Sequence, residues 1–155
     1  MTLFKNIKCS IYDFYLYKLN LNHIIGFPSI TSTSTVRGKF KPTKKSKEIN
    51  KNGIVYKELI NVTMIFNYKH DYNNISPGII IKDYKGKDGQ YLSKNPKENE
   101  VILFPFTFVR ITKLQPINEN LKEYEIYLDI INRNNYIEYL LKDDVENRER
   151  FSTIN

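Results

Sequence analysis

The sequence predicts an α+β fold built largely on antiparallel sheets. Segments with the two-residue period of strands outnumber those with a helical period, the helical one lies near the start, and no internal repeat is present. At 155 residues the chain suits one compact domain. That core is expected over residues 1–140, leaving 141–155 as a peripheral, charge-rich tail. Hydrophobic residues make up 41% of the chain, and twelve Tyr and nine Phe bring the aromatic share to 14%, which excludes wholesale disorder.

Ser10-Ile11-Tyr12-Asp13 has the form of a capping box, with Ser10 able to accept a backbone N–H and Asp13 in the positive first turn. A short helix should follow and end near Asn20 to Asn22. Its core face is expected from Ile11, Phe14 and Tyr15, with Tyr12, Asp13 and Tyr17 pointing elsewhere. Ile24 to Ile30 reads as extended but is broken by Gly26 and Pro28, which predicts a bend into a short strand. The hydroxyl cluster Thr31-Ser32-Thr33-Ser34-Thr35 comes next. Arg37 to Asn52 carries seven basic residues with little apolar periodicity and reads as a solvated basic loop.

Val62, Met64, Phe66 and Tyr68 alternate with Thr63, Ile65 and Asn67, the pattern of a strand with one strongly apolar face. Asp71 to Gly78 is a turn, Ile79 to Ile81 a short apolar run, and Lys82 to Asn99 polar and loop-like. Val101 to Ile111 has the β-branched and aromatic content of a central strand, bent or bulged at Pro105. A last strand is expected where Tyr124, Ile126, Leu128 and Ile130 alternate with Glu125, Tyr127 and Asp129.

The net charge of +7 is enough to attract an anionic surface, but Lys far outnumbers Arg, Ala and Trp are absent, and Asn, Ile, Tyr and Lys abound. A coding bias toward A and T explains part of that charge. The basic stretch at 37–52, with Phe40 and Tyr56 nearby, could touch nucleic acid, yet a solvated loop is the better reading. The single Cys9 cannot form an internal disulfide, and His23 and His70 lack a ligand cluster, so no metal is expected. No apolar run reaches membrane-spanning length and no secretory core opens the chain, so a soluble, cytoplasmic protein is the default expectation.

Two constellations could do chemistry. Ser32, Thr33 and Ser34 place hydroxyls on a short strand, where they can anchor a turn or bind a ligand. Glu98-Asn99-Glu100 opens PKENEVILFPFTF, and in extended backbone its two acids share a face at the mouth of an apolar strand. A carboxylate loses hydration there unless something positive meets it. A solvated charged loop is the plainer explanation of the pair taken alone.

In order, these elements resemble the arginine-modifying mono-ADP-ribosyltransferases, whose signature is an Arg, then a Ser-Thr-Ser strand, then Glu-x-Glu. FPSITSTST, residues Phe27 to Thr35, resembles the aromatic-led Ser-Thr-Ser segment. SPGIIIKDYKGKDGQYLSKNPKENEVILFP, residues Ser76 to Pro105, resembles the stretch through the Glu-x-Glu strand. The position of the first-motif Arg is held here by Lys5, in Leu3-Phe4-Lys5-Asn6-Ile7. The chain also begins almost at this motif, so helices that precede it in the family are expected to be missing.

The resemblance implies two small, mainly antiparallel sheets around an NAD cleft, with flanking helices. It implies transfer of ADP-ribose from NAD to the guanidinium of an acceptor protein, with release of nicotinamide and without a metal. Glu100 would then bind the nicotinamide ribose and stabilise charge at the anomeric carbon, and Glu98 would engage the acceptor guanidinium. Ser32 would position the nicotinamide half of NAD, Thr33 and Ser34 would brace the strand or add contacts, and Lys5 would stand near the phosphates. Two alternatives stay open: a noncatalytic basic binding module on the same scaffold, and an NAD glycohydrolase in which water replaces arginine.

Overall fold

The computed structural model describes residues 1–38, 46–50, 53–57, 59–69, 76–81, 84–92, 99–132 and 152–153. Strand β1 (Thr2–Ser10) leads directly into helix α1 (Ile11–Leu19). The predicted cap makes this junction: the Ser10 hydroxyl oxygen accepts the Asp13 backbone N–H at 3.2 Å. Asp13 in the first turn and Lys18 in the last complement the helix dipole, and Asn20 closes the helix within the predicted window. The buried face differs from expectation. Phe14 and Tyr17 are buried, whereas Ile11 and Tyr15 are half exposed. A nine-residue helix can press only one narrow stripe on a sheet. Rings one turn apart fill that stripe, Phe14 lying 4.9 Å from the Tyr124 centroid.

The expected bend separates β2 (Ile24–Phe27) from β3 (Thr31–Ser34). Strands β4 (Ser46–Asn50) and β5 (Gly53–Lys57) then pair as a hairpin of their own. Ser46–Asn50 therefore departs from the solvated loop expected over 37–52. A hairpin is held by backbone pairing, which a lysine-rich composition does not reveal. Residues 39–45 and 51–52 of that stretch lie outside the described residues.

Strand β6 (Leu59–Asn67) is buried on both faces, not one, because it lies between β1 and β10 (Glu123–Ile130) with material packed above and below. Strand β7 (Gly78–Ile80) covers the expected apolar run. The single strand expected over 101–111 is two, β8 (Glu100–Leu103) and β9 (Thr107–Asn118). Pro105 ends the first, Phe106 takes a left-handed φ of 59°, and the Thr107 hydroxyl donates to the Phe104 carbonyl at 2.7 Å to close the turn. Two residues of the C-terminal stretch, β11 (Ser152–Thr153), pair parallel with β2.

The strands run β11-β2-β9-β10-β6-β1-β3-β8-β7. All neighbours are antiparallel except β10 with β6 and β11 with β2. Among the described residues the six-strand part from β11 to β1 meets the three-strand part β3-β8-β7 at one register pair, Phe4 with Ser34. These are the two sheet halves. The core is one cluster drawn from both halves, with Leu3, Val62, Met64, Phe66, Leu103, Ile126 and Leu128 almost fully buried and Phe14 and Tyr17 of α1 packed into it. Each such side chain contributes about 1.5–3 kcal/mol. At the far edge, Gly78 lies so close to β8 that an added Cβ would collide with the Ile102 carbonyl oxygen. No helix among the described residues is long and apolar enough to cross a membrane.

Candidate active site

Pairing of β3 with β8 decides which hydroxyls meet which acid. Ser34 lies opposite Glu100 and Ser32 opposite Ile102, so Ser32, Ser34 and Glu100 project from one face. Thr31 and Thr33 project from the other, where both are buried. The Ser32 hydroxyl donates to Glu100 Oε1 at 2.6 Å, a short charge-assisted bond between residues far apart in sequence. Thr33 donates to the Val101 carbonyl at 2.7 Å inside the core. It braces the strand, while Ser32 is exposed on the face that carries the carboxylate.

Glu100 is aimed by its backbone neighbours. Asn99 adopts a φ of 50°, a left-handed turn that Asn tolerates, and Thr35 donates its N–H to the Asn99 carbonyl at 3.3 Å. The Ile81 N–H donates to the Glu100 carbonyl at 3.0 Å, locking the acid's strand against the end of β7. Ser34 accepts the Val36 N–H at 3.0 Å and turns the chain out of β3. Glu98 lies outside the described residues, as does His70.

Lys5 is on β1, in the other sheet half. With Ile7, Cys9, Asp13, Tyr17, Ser29 and Thr31 it lines a cavity of about 370 Å³ between α1 and the bend that joins β2 to β3. The wall formed by residues 27–31 runs directly into Ser32. Burial pushes the Lys5 ammonium below its ordinary pKa, and no carboxylate among the described residues forms an ion pair with it. A desolvated cation of this kind favours an anionic ligand. Cys9 is inert by contrast: burial chiefly, with help from Asp13 and against the Phe14 backbone, raises its thiol to about 11. Tyr17 is likewise held neutral, its pKa pushed up by burial first and by Cys9 and Asp13 next. Among the described residues, no three of His, Cys, Asp and Glu are grouped to hold a metal.

At the level of sequence, no family model and no curated protein matches the chain. Solved structures do. The ADP-ribosyltransferase Vis of Vibrio splendidus, crystallised with the M6 inhibitor, superposes with a TM-score of 0.52 at 20% identity over 86% of this chain. The ADP-ribosyltransferase HopU1 of Pseudomonas syringae pv. tomato gives 0.52 at 16% identity over 84%. The fold is that of the ADP-ribosyltransferases. The chain spans about half the length of each match, 49% and 45%.

Within this ADP-ribosyltransferase-like fold, one polar cluster was invisible in the sequence. Glu125, buried on β10, pairs through Oε2 with Arg37 Nη2 at 2.6 Å. Its Oε1 accepts from Gln115 Nε2 at 2.7 Å and from the Tyr127 hydroxyl at 3.4 Å. Burial raises the Glu125 pKa, but the hydrogen bond from Gln115, then the bond and charge of Arg37, then Tyr127 outweigh it and hold the acid below the usual carboxylate range. Alternation on β10 put Glu125 on the polar face, which reads as solvent. The cavity residue Ser29 was missed because a serine beside a bend does not stand out, whereas Tyr17, one of three helix tyrosines that could line a cofactor pocket, does line the cavity.

Proposed function

We propose that this chain is an NAD-dependent mono-ADP-ribosyltransferase with arginine as acceptor. One observation carries the reading: the Ser32 hydroxyl and the Glu100 carboxylate, expected to act together, form a 2.6 Å hydrogen bond on an accessible face. The cavity lined by Lys5, whose wall at residues 27–31 leads along the chain into Ser32, offers positive charge to the phosphates of NAD.

In this reading NAD is the donor substrate, and its phosphates occupy the cavity beside Lys5. The Ser32 hydroxyl fixes the Glu100 carboxylate near the nicotinamide ribose, where positive charge develops as the glycosidic C–N bond breaks. Nicotinamide leaves with the bonding pair, which neutralises its own ring charge, so no strong acid is required. A guanidino nitrogen of the acceptor attacks the anomeric carbon and gives up a proton, with Glu98 engaging the guanidinium. Ser34 shapes the turn after the site and Thr33 anchors the strand from behind. Lys5 supplies charge without the two-pronged donor geometry of arginine, which points to modest NAD affinity.

Incubation with labelled NAD and an arginine-rich acceptor tests the proposal. Transfer that is lost in Glu100→Gln, with the fold retained, supports it. Absence of both transfer and NAD binding, together with salt-sensitive RNA binding, would instead establish the noncatalytic basic module. Nicotinamide release without acceptor labelling would establish a glycohydrolase.

A further inference from the structure

The two sheet halves carry different parts of the candidate site: Ser32 and Glu100 stand on β3 and β8, Lys5 on β1. Of the chain connections between the halves, those at residues 28–30 and 104–106 lie at the Thr31–Leu103 end of the β3–β8 pair. Glu100 stands at the opposite end, beside Ser34. There the backbone link among the described residues is the single Phe4–Ser34 pairing. The chain itself crosses to the larger half after Ser34, and a side-chain contact there would add to that single pairing.

Arg37 is in the right place. The chain leaves β3 through the Ser34–Val36 turn and crosses onto the larger half, where Arg37 reaches the Glu125 carboxylate. The Glu125 side chain is 8% exposed and that of Arg37 43%, so the cation reaches in from the surface and the anion is fixed in the sheet. Gly38 follows at close approach: an added Cβ would stand 2.9 Å from Asn6 Nδ2. Asn6 in turn accepts the Thr63 hydroxyl at 3.1 Å, so the crossing segment rests on a fixed surface of β1 and β6.

We propose that Arg37 and Glu125 form a positioning clamp that sets the Ser32–Glu100 end of the small half against the half bearing Lys5. Its catalytic consequence rests on the transferase reading above; the clamp itself does not. Neither residue is required to touch substrate. A shift of about 1 Å in reacting groups costs on the order of a hundredfold in rate, so loosening this end should fall on turnover more than on binding at the Lys5 cavity.

The test is Arg37→Gln, with Arg37→Lys as the conservative rescue and Glu125→Gln as a second way to open the pair. Peptide-level hydrogen exchange is read for residues 31–36 and 99–103 against residues 107–118 and 123–130. The clamp predicts that both Gln variants speed exchange of the first two segments about tenfold or more relative to the others. It also predicts a fall of about ten- to a hundredfold in kcat with KM for NAD nearly unchanged, most of it recovered in Arg37→Lys. Uniform exchange across the sheet overturns the clamp. So does an unchanged kcat in an active protein, or a loss of activity that tracks lowered Tm alone. Where the unsubstituted protein shows no transfer, the function proposed above fails and the exchange arm alone decides the clamp.

Discussion

Ser32 and Thr33 are adjacent, similar in chemistry, and aimed at opposite faces of β3, so deleting each hydroxyl should do opposite damage. Ser32→Ala removes a donor from the Glu100 carboxylate at 2.6 Å. A hydrogen bond to a charged group is worth about 1.5–3 kcal/mol when shielded. Ser32 is exposed, so about 1–2 kcal/mol is the better figure, equivalent to about 5- to 30-fold in kcat/KM. Its effect on stability should stay within about 0.5 kcal/mol, as for most surface changes. Thr33→Val keeps the shape but loses the buried 2.7 Å bond to the Val101 carbonyl. That costs about 1–3 kcal/mol, or about 2–10 °C in Tm for a chain of this size. Calorimetry measures the second effect, and initial rates of labelled ADP-ribose transfer, at a temperature where both variants remain folded, measure the first. Equal losses of activity in the two variants, or a Ser32→Ala protein as active as its parent, would refute the assignment of opposite roles.

Glu100→Gln should lower transfer by about a hundredfold or more, the scale of losing a preorganised charge at a developing cation, with circular dichroism unchanged. Lys5→Arg should raise NAD affinity in calorimetric titration, by restoring a two-pronged phosphate donor, whereas Lys5→Gln should weaken it about tenfold. Burial lowers the folded-state pKa of Lys5, so its charge costs stability at neutral pH, and the cost fades as pH rises through that lowered value. Lys5→Gln should therefore be the more stable protein at pH 7 and lose its advantage at alkaline pH in urea titrations. Glu125 has the opposite sense: its lowered folded value means a contribution complete above the ordinary carboxylate range and lost as pH falls through the folded value. In Glu125→Gln the acid limb of the stability profile should flatten.

Local signals were legible where a short stretch decides its own geometry. The Ser10 cap, the end of α1 at Asn20, the break at Pro28 and the strand at β10 all follow from neighbours within a few residues. Pro105 was readable as a bend, but its division of β8 from β9 depends on which partner each half finds, β3 for one and β2 with β10 for the other. The inward turn of Tyr17 likewise depends on the sheet beneath the helix. Within the candidate site, the order of Ser32 and Glu100 was visible, and their hydrogen bond required the register of β3 on β8 to be known. Arg37 and Glu125 gave no signal, because each looks like an ordinary surface charge until the chain brings them together.

Gly78 bears on how the gene itself can drift. The chain holds only six glycines among 155 residues, in a composition that leans toward residues encoded by A and T. Glycine codons begin with two G bases, so mutation pressure of that kind erodes them steadily. At position 78 any replacement meets the Ile102 carbonyl and lifts β7 from the strand that carries Glu100. If Glu100 acts as proposed, the constraint on that acid extends to a codon that contributes no side chain at all.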